Sequence, residues 1–533
     1  MSYSSFGFFV FLALTALVYY IIPKRFQWCA LLAASYAFYL TSGVKQVLFI
    51  IATTMITYIA GLMMQRIRDH AKAEQEKIPD LTREQKREWK KKTKDKVFRI
   101  QFFSVALSLG ILVVVKYSNF AISSLNSVLS MLSVDTEIPM VNILVPLGIS
   151  FYTFQSMGYL IDVGRGRYEA ERHLGRLALF VSFFPSIVQG PINRYGHIGE
   201  QFKKTHSFDY TNVKFGAQLM LWGLFKKLVI ADRIAIPVHE VFRNYINYTG
   251  SEYIYAMIGY AIQIYADFSG GIDVARGAAQ VLDIDLPINF ERPYFSTSVA
   301  EYWRRWHASL GAWMREYVFY PIMLSAPITK LSQSFRKRGY KYIAKMVPSV
   351  ITPFIVFFLI GVWHGASWKY VAFGLYNAVI VAGGVALAPV FKRLIEILRI
   401  NTETGSWKFF CILRTFLICC IGKVLGHATS FRSAMHMIKG IFTDVHLDGL
   451  FCLDGTIFAL GLNGRNMFVL FIAVLILFAV SCLQESGMKM RETIAKQNLL
   501  FRWMLYVGCI AVILIFGIYG PEFSTSEFIY QAF

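Results

Sequence analysis

Apolar windows of roughly 18 or more residues, nearly free of charge, recur along the chain, and each can cross a hydrocarbon core about 30 Å thick as a helix. The early part predicts spans at Phe6–Ile22, Phe26–Leu40, Val44–Met64, Ile100–Lys116 and Val141–Val163, the last preceded by a partly amphipathic Ala121–Leu132. Leu177–Gly190 is different: Pro185 interrupts it, and it runs into QGPINRYGHIGEQF. That pattern predicts a re-entrant or broken helix, which survives at membrane depth only where protein or a water-filled cavity surrounds it. Further spans are expected at Phe215–Ala235 and Ser251–Phe268, then a polar stretch from Gly270 to Lys345. Met346–Trp363, Trp368–Val390, Phe409–Gly426, Met467–Gln484 and Phe501–Gly520 follow. With no repeat or linker between them, these segments predict an all-α polytopic membrane protein, residues 1–533 forming one domain of roughly 11 to 13 spans or part-spans. The tail 521–533 closes it.

Charge orients the pattern. Gln65–Arg99 and the basic cluster Arg336–Lys345 are rich in Lys and Arg, so the positive-inside rule places both in the cytoplasm. Counting spans from there puts both termini outside. The first apolar segment lacks a basic leader and a small-residue cleavage site, and so reads as a spanning helix rather than a signal peptide. The chain is 56% hydrophobic and only 16% charged, against about 25% charged in soluble domains. Its formal charge of +21 lies in short loops rather than a separate domain, which fits membrane topology and argues against nucleic-acid binding. Seven cysteines with no C-x-x-C pair support neither a zinc site nor a disulfide framework, and no metal is expected.

Two of the ten histidines stand apart from those in polar loops (His70, His173, His197, His206, His446). His364 sits in FFLIGVWHGASWKYVAFG, flanked by apolar helices. An ionisable side chain there is costly enough to suggest function, the competing account being an imidazole that bridges two helices. Gly361 and Gly365 would let backbone or substrate approach the ring. His307 sits in EYWRRWHASLGAWMREYVFYP, where Trp303, Trp306, His307, Leu310, Trp313, Met314 and Tyr317 share one face of a helix, with Glu301, Arg304, Arg305 and Arg315 elsewhere. Alone, that pattern is an interfacial helix with a histidine at its edge. Asp162, Asp267, Asp273, Asp283 and Asp285 are weaker candidates, as helix caps or ion-pair partners. There is no G-x-S-x-G elbow, P-loop or H-E-x-x-H. Histidine as general base is the best-supported chemistry.

At WRRWHASL, GVWHGASW and the terminal FIYQAF the chain resembles the membrane-bound O-acyltransferase family, in its bacterial, alginate O-acetyltransferase-like branch. SFYTFQSMGYLIDV (150–163), FFPSIVQGPINRY (183–195) and YADFSGGIDVARGAAQVLDIDLPINFERPY (265–294) occur in the family's order, so the resemblance covers most of the chain. It implies a helical ring around a thin central region, with a tunnel where donor and acceptor meet from opposite faces. By resemblance, His364 is the principal catalytic histidine, His307 the second, and Tyr530 an acyl relay.

These readings combine into an expected reaction. His364 takes a proton from an attacking hydroxyl, whose oxygen attacks the carbonyl of an acyl-CoA or acyl-carrier thioester. His307 orients or polarises a reacting group, and Arg304, Arg305 and Arg315 attract the donor's phosphates or an acidic carrier protein. The expected partners are membrane lipid, a cytoplasmic donor, an extracellular acyltransferase that accepts the acyl group, and a polysaccharide acceptor. D-alanyl transfer to teichoic acid and a noncatalytic polysaccharide-export component are the alternatives.

Overall fold

The computed structural model describes residues 1–78, 82–450, 455, 458 and 460–519. Among these residues the chain is helix and loop, with one isolated antiparallel bridge between Phe290 and Trp306. Seven helices are long and apolar enough to cross a membrane: Val44–Glu76, Arg83–Met131, Lys341–His364, Trp368–Ala386, Gly405–His427, Gly464–Glu485 and Leu499–Phe516. Large apolar side chains stay exposed along them, among them Phe102, Phe103, Phe471 and Leu514. Such a surface is untenable in water and suits lipid. The protein is therefore a multi-pass membrane protein. It divides into two compact units, Met1–Gly216 with Ala275–Pro287, and Ala217–Val274 with Ile288–Phe533.

In the first unit, the basic segment Gln65–Arg99 is largely helical. The preceding span runs on to Glu76, and the next helix starts at Arg83 behind a capping box of Thr82 and Gln85. That helix has 49 residues, absorbs the expected amphipathic Ala121–Leu132, and is roughly 70 Å long. The expected span Val141–Val163 is corrected: helix begins only at Ile149. Asn119 and Asn126 bond both backbone groups of Val141 and Ile138, which holds this stretch out of helix. Gly148 then takes a left-handed φ of 67°, with its Cβ position only 2.1 Å from the Ile187 carbonyl oxygen.

The interrupted segment is broken as expected, into Leu174–Ser182 and Phe184–Ile187, and is almost wholly buried. Side chains take up the freed backbone groups: Tyr3 donates to the Phe184 carbonyl (2.7 Å), and Ser35 accepts from the Phe184 N–H (3.2 Å). His206, expected to be solvated in a loop, is buried and bonded to Asp283 at 2.8 Å.

In the second unit, the expected span Phe215–Ala235 is interrupted by a π-turn at Phe225–Ala231. There Lys226 reaches Ser269 and Asp273 (both 2.7 Å), and Lys227 reaches Asp267 (2.6 Å) and Asp232 (2.9 Å). Two of the candidate aspartates are thus spent on buried ion pairs. The polar stretch expected from Gly270 is also corrected, because the helix that starts at Gly250 continues to Val281. Small residues allow it: a Cβ on Gly223 would lie 2.5 Å from the Gly270 carbonyl oxygen. The later spans fall close to their expected limits, Lys341–His364, Gly405–His427 and Gly464–Glu485 among them.

Candidate active site

The His307 segment is not one helix. Val299–Arg305 stops, His307 takes a left-handed φ of 47°, and Ala308–Met314 starts anew. Asn289 imposes the break. Its carbonyl accepts from Ala308 N–H (2.9 Å), and its Oδ1 accepts from Ser309 N–H (2.9 Å) while lying 3.1 Å from His307 Nδ1. Since the backbone donor identifies that amide atom as oxygen, Nδ1 must carry the hydrogen, and Nε2 carries the lone pair. The ring is 2% exposed. Burial lowers its pKa to about 3, the nearby His364 imidazole adding a second cause, so His307 is neutral. The expected face largely survives the break: Trp306, Leu310, Trp313, Met314 and Tyr317 are buried, and Arg304 and Arg315 are exposed.

His364 is the last residue of its spanning helix. Gly361 and Gly365 do not open room for substrate. A Cβ on Gly361 would lie 2.5 Å from the Tyr370 carbonyl oxygen, and one on Gly365 would lie 2.3 Å from the Tyr370 ring. These glycines let the Trp368–Ala386 helix close against its predecessor, which fixes where the histidine ends up. The imidazole meets Phe373 edge-on at 5.6 Å and Tyr370 at 6.5 Å. Trp363 is the shared neighbour of the two histidines, 6.0 Å from His307 and 5.1 Å from His364.

His364 lines a cavity of about 50 Å³. Tyr302, Trp303, Trp306, Tyr370 and Phe373 form much of its wall, and Asn377, Cys419 and Lys423 are also among the residues that line it. His307 lies behind this wall rather than on it. Arg305, one of three arginines expected to meet donor phosphates, is committed to Glu301 (2.7 Å) and Glu485 (3.0 Å). Tyr530 lies outside the described residues. Sequence reasoning missed Asn289 and Lys423. A lysine inside an apolar span was a visible signal for the second, whereas Asn289 had none.

An imidazole on the wall of a small, largely aromatic cavity, with a second imidazole behind it, is suited to moving a proton on and off a hydroxyl during group transfer. The family model for MBOAT, the membrane-bound O-acyltransferase family, matches residues 31–336, and the chain belongs to that family. It is an O-acyltransferase. His307 falls within the matched residues and His364 beyond their end. The chain is 31% identical to a probable alginate O-acetylase AlgI of Pseudomonas syringae pv. tomato, over 82% of this chain and 74% of that protein. It is also 28% identical to a peptidoglycan O-acetyltransferase of Helicobacter pylori, over 61% of each chain. A teichoic acid D-alanyltransferase of Bacillus subtilis is 31% identical over 45% of this chain and 59% of its own.

Proposed function

We propose that this protein moves an acetyl group from a cytoplasmic thioester, acetyl-CoA or an acetylated carrier protein, toward O-acetylation of a polysaccharide of the cell envelope. The observation that carries this reading is His364 on the wall of a cavity of about 50 Å³. That is roughly a third of the ~150 Å³ that takes up a benzene molecule, a size suited to a two-carbon acyl group. Similarity to acetylases extends over far more of the chain than similarity to the D-alanyl enzyme, which favours acetyl. His364 accepts the hydroxyl proton as the oxygen bonds to the carbonyl carbon; collapse of the tetrahedral intermediate breaks the C–S bond, and the departing thiolate takes the proton back. His307 holds its neighbour's orientation and polarity. Arg304 and Arg315 remain exposed for donor phosphates. Transfer of labelled acetyl from acetyl-CoA by the purified protein tests the reading, and transport without any covalent product would replace it.

In this reading Gln65–Arg99 and Arg336–Lys345 face the cytoplasm, and both termini face outward. Single cysteines placed in either basic segment of a cysteine-free protein should resist a membrane-impermeant maleimide in intact cells. Efficient labelling would invert the topology.

Tyr530 is the proposed relay, handing the acetyl group to an extracellular acyltransferase. Its phenol has an ordinary pKa near 10 and needs a base such as His364 within reach. The aryl ester formed would be a good donor, since phenolate leaves readily. Tyr530→Phe keeps the ring and removes the hydroxyl. It should abolish envelope acetylation and leave no acetylated C-terminal peptide by mass spectrometry; unchanged glycan acetylation refutes the relay while leaving the histidines in place.

A further inference from the structure

Lys423 lies in the spanning helix Gly405–His427, one turn before its end. It is 6% exposed, and its Nζ has no hydrogen-bond partner among the described residues. Instead the Nζ faces three aromatic rings, Tyr302 at 4.8 Å, Tyr294 at 5.1 Å and Trp306 at 5.2 Å. Cation–π attraction to the ring faces helps hold a cation there but offers no oxygen for its N–H groups. A buried ammonium without an oxygen acceptor is among the most costly arrangements a protein can keep, the more so inside a membrane. Lys423 also lines the same cavity as His364. Of the other polar side chains lining that cavity, Asn377 is already spent, its amide donating to the Phe373 carbonyl (2.8 Å) and accepting from the Trp303 indole (3.2 Å), and Cys419 offers a thiol sulfur rather than an oxygen.

We propose that Lys423 is a further catalytic residue, whose ammonium binds the carbonyl oxygen of the acyl group and carries the negative charge that oxygen acquires in the tetrahedral intermediate. The proposal rests on the acyl-transfer reading above. As the acceptor oxygen bonds to the carbonyl carbon, the C=O electron pair moves onto oxygen, where the Lys423 N–H groups stabilise it. When the C=O bond re-forms, the C–S bond breaks, and the thiolate takes its proton from His364; Lys423 keeps its own proton throughout. Base and oxyanion donor thereby line one cavity, where a preorganised positive charge acts directly on the developing oxyanion. The aromatic enclosure is what makes the arrangement preorganised, because among the described residues no carboxylate bonds to the Lys423 Nζ.

The test uses the full-length protein in nanodiscs with acetyl-CoA, reading CoA release per folded molecule for wild type, Lys423→Met and Lys423→Arg. Methionine keeps much of the chain length and apolar volume and removes the charge. Its kcat should fall about 10²–10³-fold, the usual loss when an oxyanion donor is removed, with a much smaller change in KM. Arginine keeps a cation and should recover part of that loss. Lys423→Met with kcat within a few-fold of wild type overturns the proposal, as does a loss confined to yield or thermal stability, which would make the ammonium a packing cation. An active wild type beside an equally active variant sinks this inference alone, whereas a wild type that moves no acetyl group sinks the acetyl-CoA reading and this inference with it.

Discussion

Replacing His364 with alanine is expected to cut acyl transfer by about 10²–10⁴-fold, the usual worth of a positioned general base, while leaving a folded protein. The side chain is only partly buried, ends its helix, and meets Phe373 and Tyr370 through ring contacts. Truncation therefore enlarges an existing cavity. Turnover per folded molecule, with thermal unfolding as control, decides the matter, and near-normal turnover removes His364 from the mechanism. His307→Ala should differ by losing stability as well, since its ring is buried and bonded to Asn289. If stability falls and turnover per folded molecule does not, His307 is a packing residue.

Gly148→Val should be the most damaging single substitution outside the site. The left-handed backbone there costs an L-residue about 1–2 kcal/mol, and a branched side chain more. The new Cβ would also stand 2.1 Å from a backbone oxygen of the broken segment, which has little freedom to retreat because Tyr3 and Ser35 tie it down. Forced repacking adds about 1–3 kcal/mol. Against a total stability of order 5–15 kcal/mol, a loss of about 2–5 kcal/mol should lower the thermal unfolding temperature of the detergent-solubilised protein clearly. Gly110→Ala is the control, since nothing lies within 4 Å of that Cβ position and alanine favours helix. A Gly148→Val protein that melts with wild type would show that this junction can rearrange.

Spans were legible wherever lipid dominates the surroundings, as at Gly464–Glu485 and Leu499–Phe516, because a single solvent imposes one requirement on every exposed position. The broken segment was legible from Pro185 for a related reason, since backbone without helix needs protein around it. The errors fall where one part of the chain is completed by another. Helical periodicity through 301–317 ran straight across His307, because the residue that interrupts it, Asn289, lies 18 positions earlier. The polar look of 270–281 hid a buried helix, because Gly and Ala count as neutral in hydropathy yet allow the closest packing. His364 could be picked out by its cost in an apolar setting. Lys423 met the same criterion and was passed over, and its three aromatic neighbours come from positions 294, 302 and 306, a cage that only the tertiary fold assembles.

The Arg83–Met131 helix has a practical use for imaging. Most of a protein like this disappears into a detergent micelle, which leaves particle alignment with few landmarks. Residues 83–99 of that helix extend it by roughly 25 Å beyond its apolar part, with no glycine or proline before Gly110 to bend it. The helix packs against Val44–Glu76. None of the cavity-lining residues belongs to this unit. A small soluble helical bundle spliced in phase onto Glu76 and Arg83 would give electron cryomicroscopy a fiducial without altering any residue of the His364 cavity.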